Sequence, residues 1–108
     1  MRVLGEAAHT RELAVCGIVR CEVGRGIRDP FFRERFNKFW NVMVNIPTDD
    51  RLWDEAQQTA WELDRKGTVL PLTDIAIACC AKRIGAVVLT FDKHFDQIPG
   101  LKTANELV

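Results

Sequence analysis

Two aspartates stand where a chain seldom leaves an isolated carboxylate. Asp74 opens an almost wholly apolar run, Thr73-Asp74-Ile75-Ala76-Ile77-Ala78-Cys79-Cys80-Ala81. Asp92 follows the apolar segment Ala86-Val87-Val88-Leu89-Thr90, eighteen positions after Asp74. Burying an unpaired carboxylate costs so much that a residue of this kind needs a partner, a helix amino terminus or a cation beside it. Glu22, in Cys21-Glu22-Val23, comes soon after another short apolar segment at residues 13–17. Converging from three segments, these acids form an oxygen-only donor set. Such a set suits Mg²⁺ or Mn²⁺, which keep positions open for water and phosphate oxygens. Thr90 is spaced to hold a carboxylate or a water on the same face as Asp92. Each acid also has plainer work open to it. Asp74 can cap a helix or oppose its dipole. Asp92, in Phe-Asp-Lys-His-Phe-Asp, can bond its own backbone in a turn. Glu22 can pair with Arg20 or Arg25 on a helix surface.

The elements that must position these residues follow from periodicity and punctuation. Residues 5–12 read as a short helix and 13–17 as a short buried strand. A helix follows over about 18–27, closed by Gly24, Gly26 and Asp29-Pro30. Phe32, Phe36, Phe39 and Trp40 recur at helical spacing, forming an aromatic stripe read as a core or dimer-forming face ahead of base stacking. Arg33, Arg35 and Lys38 are assigned to the opposite side. Residues 42–46 read as an extended link. Thr48 is taken to cap the next helix, whose first turn holds Asp49 and Asp50 and whose last turn holds Arg65 and Lys66 before Gly67. Leu52, Trp53, Ala56, Ala60 and Leu63 give that helix its apolar face. The helix of Asp74 ends at Gly85, in a left-handed cap, and the strand at 86–90 follows at once. The tail turns at Pro99-Gly100 and carries a last short strand near Leu101. A helix feeding a short, branched, non-alternating strand indicates an α/β layer with a parallel sheet covered on both faces. Ligands of such sheets gather outside the carboxyl ends of the strands, the rim that all three acids would reach.

Composition agrees. The 108 residues make one domain, and fifteen basic residues balance fifteen acidic ones. With no global field, a polyanion would need a local basic patch. No apolar run approaches the roughly 18 residues of a membrane span, and no secretory signal opens the chain, so a cytoplasmic protein without membrane contact is expected. Cys16, Cys21, Cys79 and Cys80 lack zinc or redox spacing and read as free core residues. His9 reads as a solvated residue, and His94 as a support, not a ligand, since imidazole suits an all-oxygen site poorly.

Longer stretches carry a resemblance. Leu70-Pro71-Leu72-Thr73-Asp74-Ile75-Ala76-Ile77-Ala78, then Gly85-Ala86-Val87-Val88-Leu89-Thr90-Phe91-Asp92-Lys93-His94-Phe95 and Ile98-Pro99-Gly100-Leu101, resemble the C-terminal half of a PIN domain. The VapC-type toxin nucleases are the group they resemble most. Upstream, Ala14 to Ile18 leading into Cys21-Glu22-Val23-Gly24-Arg25-Gly26 is similar to that family's second strand and glutamate-bearing helix. The resemblance covers about residues 12–101. It implies a parallel sheet between helices with an acidic pocket, in which Glu22, Asp74 and Asp92 bind Mg²⁺ or Mn²⁺, with Thr90 and Asp96 in support. The implied reaction is hydrolysis of an RNA phosphodiester. The implied partner is a VapB-type antitoxin that lays a C-terminal segment, often with an arginine, over the carboxylates.

One departure bears on activity. The family's first strand ends in an aspartate of the acidic quartet, but here Met1-Arg2-Val3-Leu4 runs into Gly5-Glu6, and no aspartate precedes Asp29. Glu6, in a helical Gly-Glu-Ala-Ala context, is not expected to substitute. The fold is therefore expected to be an N-terminally incomplete PIN-like sheet, weak or inactive as a nuclease. Its open interior edge favours a homodimer or higher self-association. The reading from another class is a non-catalytic assembly domain using the aromatic helix.

Overall fold

The computed structural model describes residues 4–7, 13–89 and 93–104, and the side chains of 14–88 and 93–104. Strand β2 (Leu13–Cys16) runs without a loop into α1 (Gly17–Gly26), so the chain turns at Gly17 from extended to helical backbone. Helix α2 (Pro30–Trp40) begins with proline at a position where its missing N–H costs nothing, and Asp29 caps it by accepting from the Phe31 amide at 2.8 Å. After β3 (Val44–Ile46) come α3 (Asp50–Arg65) and α4 (Leu72–Arg83). A tight turn with Gly85 at φ +64° leads into β4 (Ala86–Leu89), a conformation glycine adopts without strain. A 3₁₀ turn (Lys93–Gln97) and β5 (Lys102–Ala104) complete the described chain.

The strand at the amino terminus corrects one expectation. Over Leu4–Ala7 the chain is β1, not helix. Alanine and glutamate favour helix, but so short a stretch cannot meet the cost of nucleation, whereas in the sheet its backbone pairs on both sides. The sheet order is β3-β2-β1-β4-β5. β1 runs antiparallel to β2, with Gly5 opposite Ala14, and to β4, with Gly5 opposite Val88. β2 with β3, and β4 with β5, are parallel pairs. The parallel reading thus holds for four strands, while β1 runs against them. Glu6, expected in a helix, lies in β1 opposite Leu13 and Val87. The first strand ending in an aspartate that the resemblance implied is not found here; β1 runs antiparallel to both neighbours and occupies the interior place that was expected to stand open.

At β2 both faces of the sheet are covered, since the successive residues Ala14, Val15 and Cys16 are all buried; in β4 Ala86 and Val88, which share a face, are buried and Val87 on the other face is half-buried. Helix α4 packs against α3, β4, α1 and the 3₁₀ turn, and every residue from Asp74 to Ala81 is buried. That burial explains why its apolar run shows no amphipathic period. Helix α3 gives Leu52, Ala56 and Leu63 to the same core, but Trp53, assigned to that face by sequence, is exposed. One helical step, about 100°, carries Trp53 from Leu52 toward solvent. Cys16, Cys79 and Cys80 are buried free thiols, as expected, whereas Cys21 is exposed on α1. The Cys80 thiol hydrogen-bonds the Cys16 sulfur and brings the Cys16 thiol down to about 7 against the opposing effect of burial.

The aromatic helix departs from its core reading. Trp40 is buried, but Phe31, Phe32, Phe36 and Phe39 are exposed, Phe32 by 54%. Arg35, assigned to the opposite side, shares the phenylalanine face, with its guanidinium 5.7 Å from the Phe31 ring centre. The stripe therefore buries one ring in this chain and presents the others outward.

Asp49, not Thr48, caps α3, accepting from the Leu52 amide at 2.9 Å. The same oxygen takes the Arg83 guanidinium at 2.6 Å, tying α3 to the end of α4. These contacts, Arg83 first, lower the Asp49 carboxyl from 3.8 to about 2. A carboxyl depressed on folding stabilises the native state above its unfolded pKa, and that contribution fades as pH falls toward the folded value. Asparagine retains the cap but not the charge. Asp49→Asn should therefore unfold at lower urea than the native chain at neutral pH, and the gap should close between about pH 4 and 2. A gap that persists unchanged at pH 2 would show that the charge on Asp49 is not what links the helices.

Candidate active site

Helices α1 and α4 bring two of the expected acids to the same end of the fold. β2 ends where α1 begins, so Glu22 lies within the first two turns of a helix emerging from a strand's carboxyl end. α4 turns back through Gly85 into β4 and packs against it, which sets the amino terminus of α4 toward the end where β4 finishes. Asp74 lies in that amino-terminal turn. Since α1 packs against α4, Glu22 and Asp74 belong to adjoining elements.

Asp74 is 1% exposed, and among the described residues it is the buried polar or charged side chain of the core. Its backbone N–H donates to the Pro71 carbonyl at 3.1 Å. Pro71 occupies the cap position and its side chain accepts no hydrogen bond, so Asp74, three residues on, is not the cap residue of α4. Its charge does meet the positive end of the α4 dipole. Glu22 is half-buried, and one oxygen of each carboxylate, Glu22 Oε1 and Asp74 Oδ1, is shut off from solvent. The other oxygen of Asp74, Oδ2, lies 3.4 Å from His94 Nδ1. The His94 side chain is 50% exposed, so the imidazole bridges a buried acid and the surface.

The 3₁₀ turn holds His94 in that place. Phe95 is 0% exposed and Ile98 is buried, so the turn is pinned to the core on either side of Asp96. Asp96 faces outward and accepts from Thr103 Oγ at 2.8 Å, fastening the turn to β5. Its visible work is to hold the turn that carries His94. Thr90 and Asp92 lie outside the described residues, as does His9. Among the described residues no three acid, histidine or cysteine side chains cluster as a cation set.

Buried carboxylate oxygens on adjoining helices are hard donors, and they fit a divalent cation of the Mg²⁺ or Mn²⁺ kind better than a thiolate-seeking one. Cys79 and Cys80, though on the same helix as Asp74, are inward core thiols, and burial raises the Cys79 thiol further. Sequence reasoning placed His94 as a support without finding its acid. The nineteen residues between Asp74 and His94 include most of a helix, a turn and a strand, and the packing of the 3₁₀ turn on α4 closes that distance.

Comparison with known proteins bears on the same elements. The PIN domain family model matches residues 2–101. No curated protein matches the chain. Among solved structures, the fold is similar to VapBC2 from Rickettsia felis bound to a DNA fragment from their promoter, with a TM-score of 0.72 and 22% identity over 84% of this chain and 72% of that one. It is also similar to VapBC-1 from nontypeable Haemophilus influenzae, with a TM-score of 0.70 and 21% identity over 86% of this chain and 73% of that one. Those identities support likeness of fold, and the family model, spanning nearly the whole chain, supports kinship: the chain belongs to the PIN domain family.

Proposed function

We propose that this chain is a VapC-type toxin ribonuclease that hydrolyses RNA phosphodiester bonds with Mg²⁺ or Mn²⁺ held by Glu22, Asp74 and Asp92. The observation that carries this reading is the Asp74 carboxylate, almost fully buried at a helix amino terminus beside the strand ends of a PIN fold. Burial of that charge is hard to account for by stability, because an apolar residue would fill the position at lower cost. A bound divalent cation supplies Lewis acidity, an activated water at neutral pH and compensation for phosphate charge. Glu22 and Asp74 supply fixed oxygens, held by α1 and α4 so that little reorganisation is needed when the ligand arrives. His94 orients Asp74 from the solvent side. Thr90 is assigned a supporting role beside Asp92. Lys93, exposed next to His94, offers a cation at the lip where a phosphate would approach.

The first aspartate of the family's quartet has no counterpart in β1, which runs the other way through the sheet. Even groups that merely orient ligands cost about 10–100-fold when removed, so activity should be reduced by at least that much. Both similar structures are VapBC complexes, which supports a cognate VapB-type antitoxin as partner. An arginine from such a partner, placed against Glu22 and Asp74, would make charge-assisted hydrogen bonds that occupy the cation's place. The second reading, a non-catalytic assembly domain or homodimer, is favoured by the outward-facing Phe31, Phe32, Phe36 and Phe39. No described helix is long and apolar enough to cross a membrane, and a cytoplasmic site of action fits the RNA substrate.

Calorimetric titration with Mn²⁺, paired with cleavage of single-stranded RNA, separates these readings. Glu22→Gln should lower Mn²⁺ affinity by more than about 100-fold and extinguish Mn²⁺-dependent cleavage, whereas His94→Ala should lower affinity by about 10-fold, the low end for a group that only orients a ligand. If the native chain binds no Mn²⁺ and cuts nothing, the assembly reading stands in its place.

A further inference from the structure

Helices α1 and α2 pack together along one side and leave a groove of about 540 Å³ between them. Arg20 and Arg25 line it from α1, and Arg33 from α2, with Asn37 and Trp40 farther along. Among the described residues no acidic one lines it, although the chain as a whole is electrically balanced. Among the described residues none of these three guanidinium groups is in an ion pair, and Arg20 donates only to the neutral Asn45 Oδ1 at 3.3 Å. The floor includes Gly17 and Gly24, where even an added Cβ would meet nothing within 4 Å. A ligand can therefore approach the backbone of α1 closely. Three unbalanced cations in an open groove form the local basic patch that a neutral chain needs for a polyanion.

The aromatic face adjoins this groove. Arg33, Asn37 and Trp40 occupy one side of α2, and Phe32, Phe36 and Phe39 the next, with Arg35 among them. The Phe36 ring lies 5.7 Å from that of Trp40, which lines the groove, so the two surfaces are continuous. A cationic track beside exposed ring faces matches single-stranded nucleic acid, whose phosphates seek guanidinium groups and whose unpaired bases stack on aromatics. An acidic peptide without apolar side chains would use the arginines but leave the phenylalanine row uncovered, whereas a single strand engages both, phosphates on the arginines and bases on the rings.

We propose that the α1–α2 groove and the adjoining phenylalanine face form a contact surface for single-stranded RNA, separate from the carboxylates. The inference rests on the ribonuclease reading only for the identity of the polyanion. Glu22 is about 130° round α1 from the middle of the groove, at about 100° per residue, and about 60° from Arg25 at its edge, so the two surfaces are distinct but adjoining sectors of one helix. A helix is about 10–12 Å across, a span that a few nucleotides bridge. The groove thus holds the strand at a distance from acids that repel its phosphates.

The test is fluorescence anisotropy of the full chain with a labelled single-stranded RNA 12-mer in EDTA, where no cleavage intervenes. Arg25→Ala/Arg33→Ala should weaken binding at least tenfold and reduce the slope of log K against log salt by about 1.4, from two phosphate contacts at roughly 0.7 each. Arg25→Lys/Arg33→Lys should recover most of the slope, since lysine keeps the charge, and the remote Arg51→Ala should bind as the native chain does. Phe36→Ala/Phe39→Ala should weaken binding about tenfold with little change in slope. No RNA binding by the native chain, or an unchanged slope in the double alanine variant, overturns the proposal. So does an acidic peptide that displaces the RNA and binds more tightly through the same arginines. A phenylalanine variant that shifts dimer to monomer by sedimentation while keeping its RNA affinity reassigns the aromatic face to self-association. A native chain that binds RNA through these arginines yet cuts nothing in Mn²⁺ removes the ribonuclease reading and leaves the groove.

Discussion

Replacing Asp74 by asparagine is expected to raise the melting temperature in chelator and to abolish the further rise that Mn²⁺ gives the native chain. Asp74 is almost fully buried, and a charge in that position pays a large desolvation penalty, against which the α4 dipole and the His94 contact act. Asparagine keeps the shape and removes the charge. Loss of the His94 contact should matter little to the fold, because half of that side chain already faces water. For the native chain, a cation at 100 times its dissociation constant adds about 2.7 kcal/mol to the folded state. In a domain of this size that corresponds to roughly 10 °C, at about 4 °C for each kcal/mol. An amide supplies only a weak neutral oxygen to a hard cation, so the shift should vanish in the variant. Thermal melts of both chains in EDTA and in Mn²⁺ measure all four quantities. An Asp74→Asn chain that melts lower in EDTA and still gains from Mn²⁺ would make the buried acid a structural group and not a ligand.

Why Asp74 was legible in the sequence while its partner was not follows from the range of the forces involved. A lone acid in an apolar helical run is anomalous within nine residues, and no tertiary knowledge is needed to notice it. The place of Glu22 just past a strand's carboxyl end was legible for a similar reason, since it is the first acid after a short buried segment. The helices α1, α2, α3 and α4 were readable from local punctuation: Asp29-Pro30 before α2, the aspartates before α3, and Gly67 and Gly85 after α3 and α4. Strand β1 was not readable, because Gly-Glu-Ala has no strand pattern and becomes extended only by pairing with β2 and β4. Trp53 and the phenylalanines failed for another reason. Periodicity tells which residues share a face of a helix, but not whether this chain supplies anything to cover that face. The same limit hid the arginine groove, whose members come from two helices and acquire meaning only when α1 and α2 lie side by side.

Phe95→Ala should be among the most damaging substitutions in the chain, although nothing around Phe95 in sequence announces it. The 3₁₀ turn that carries it has two charged neighbours in Lys93 and Asp96, and such a turn has too few internal hydrogen bonds to hold itself in place. What fixes it is the Phe95 ring, fully buried and among the largest side chains in the core, with Ile98 seated behind it. Truncation to alanine removes the ring's burial and leaves a cavity, at a cost of about 3–5 kcal/mol. That is a large share of the roughly 5–15 kcal/mol that holds most domains together. Urea unfolding followed by circular dichroism should show the loss directly. Should the alanine chain fail to fold, Phe95→Leu keeps part of the packing and should cost about 1–2 kcal/mol. In the leucine chain, hydrogen exchange at 93–97 should speed up while α3 stays protected, because the turn loosens before the helices that do not depend on it. A loosened turn also lets His94 swing away from Asp74, so the His94 ring resonances should move toward those of a free imidazole. An alanine variant that loses less than about 1 kcal/mol, with exchange at 93–97 unchanged, would mean that the turn is held by Asp96 and Thr103 at the surface and not by the core beneath it.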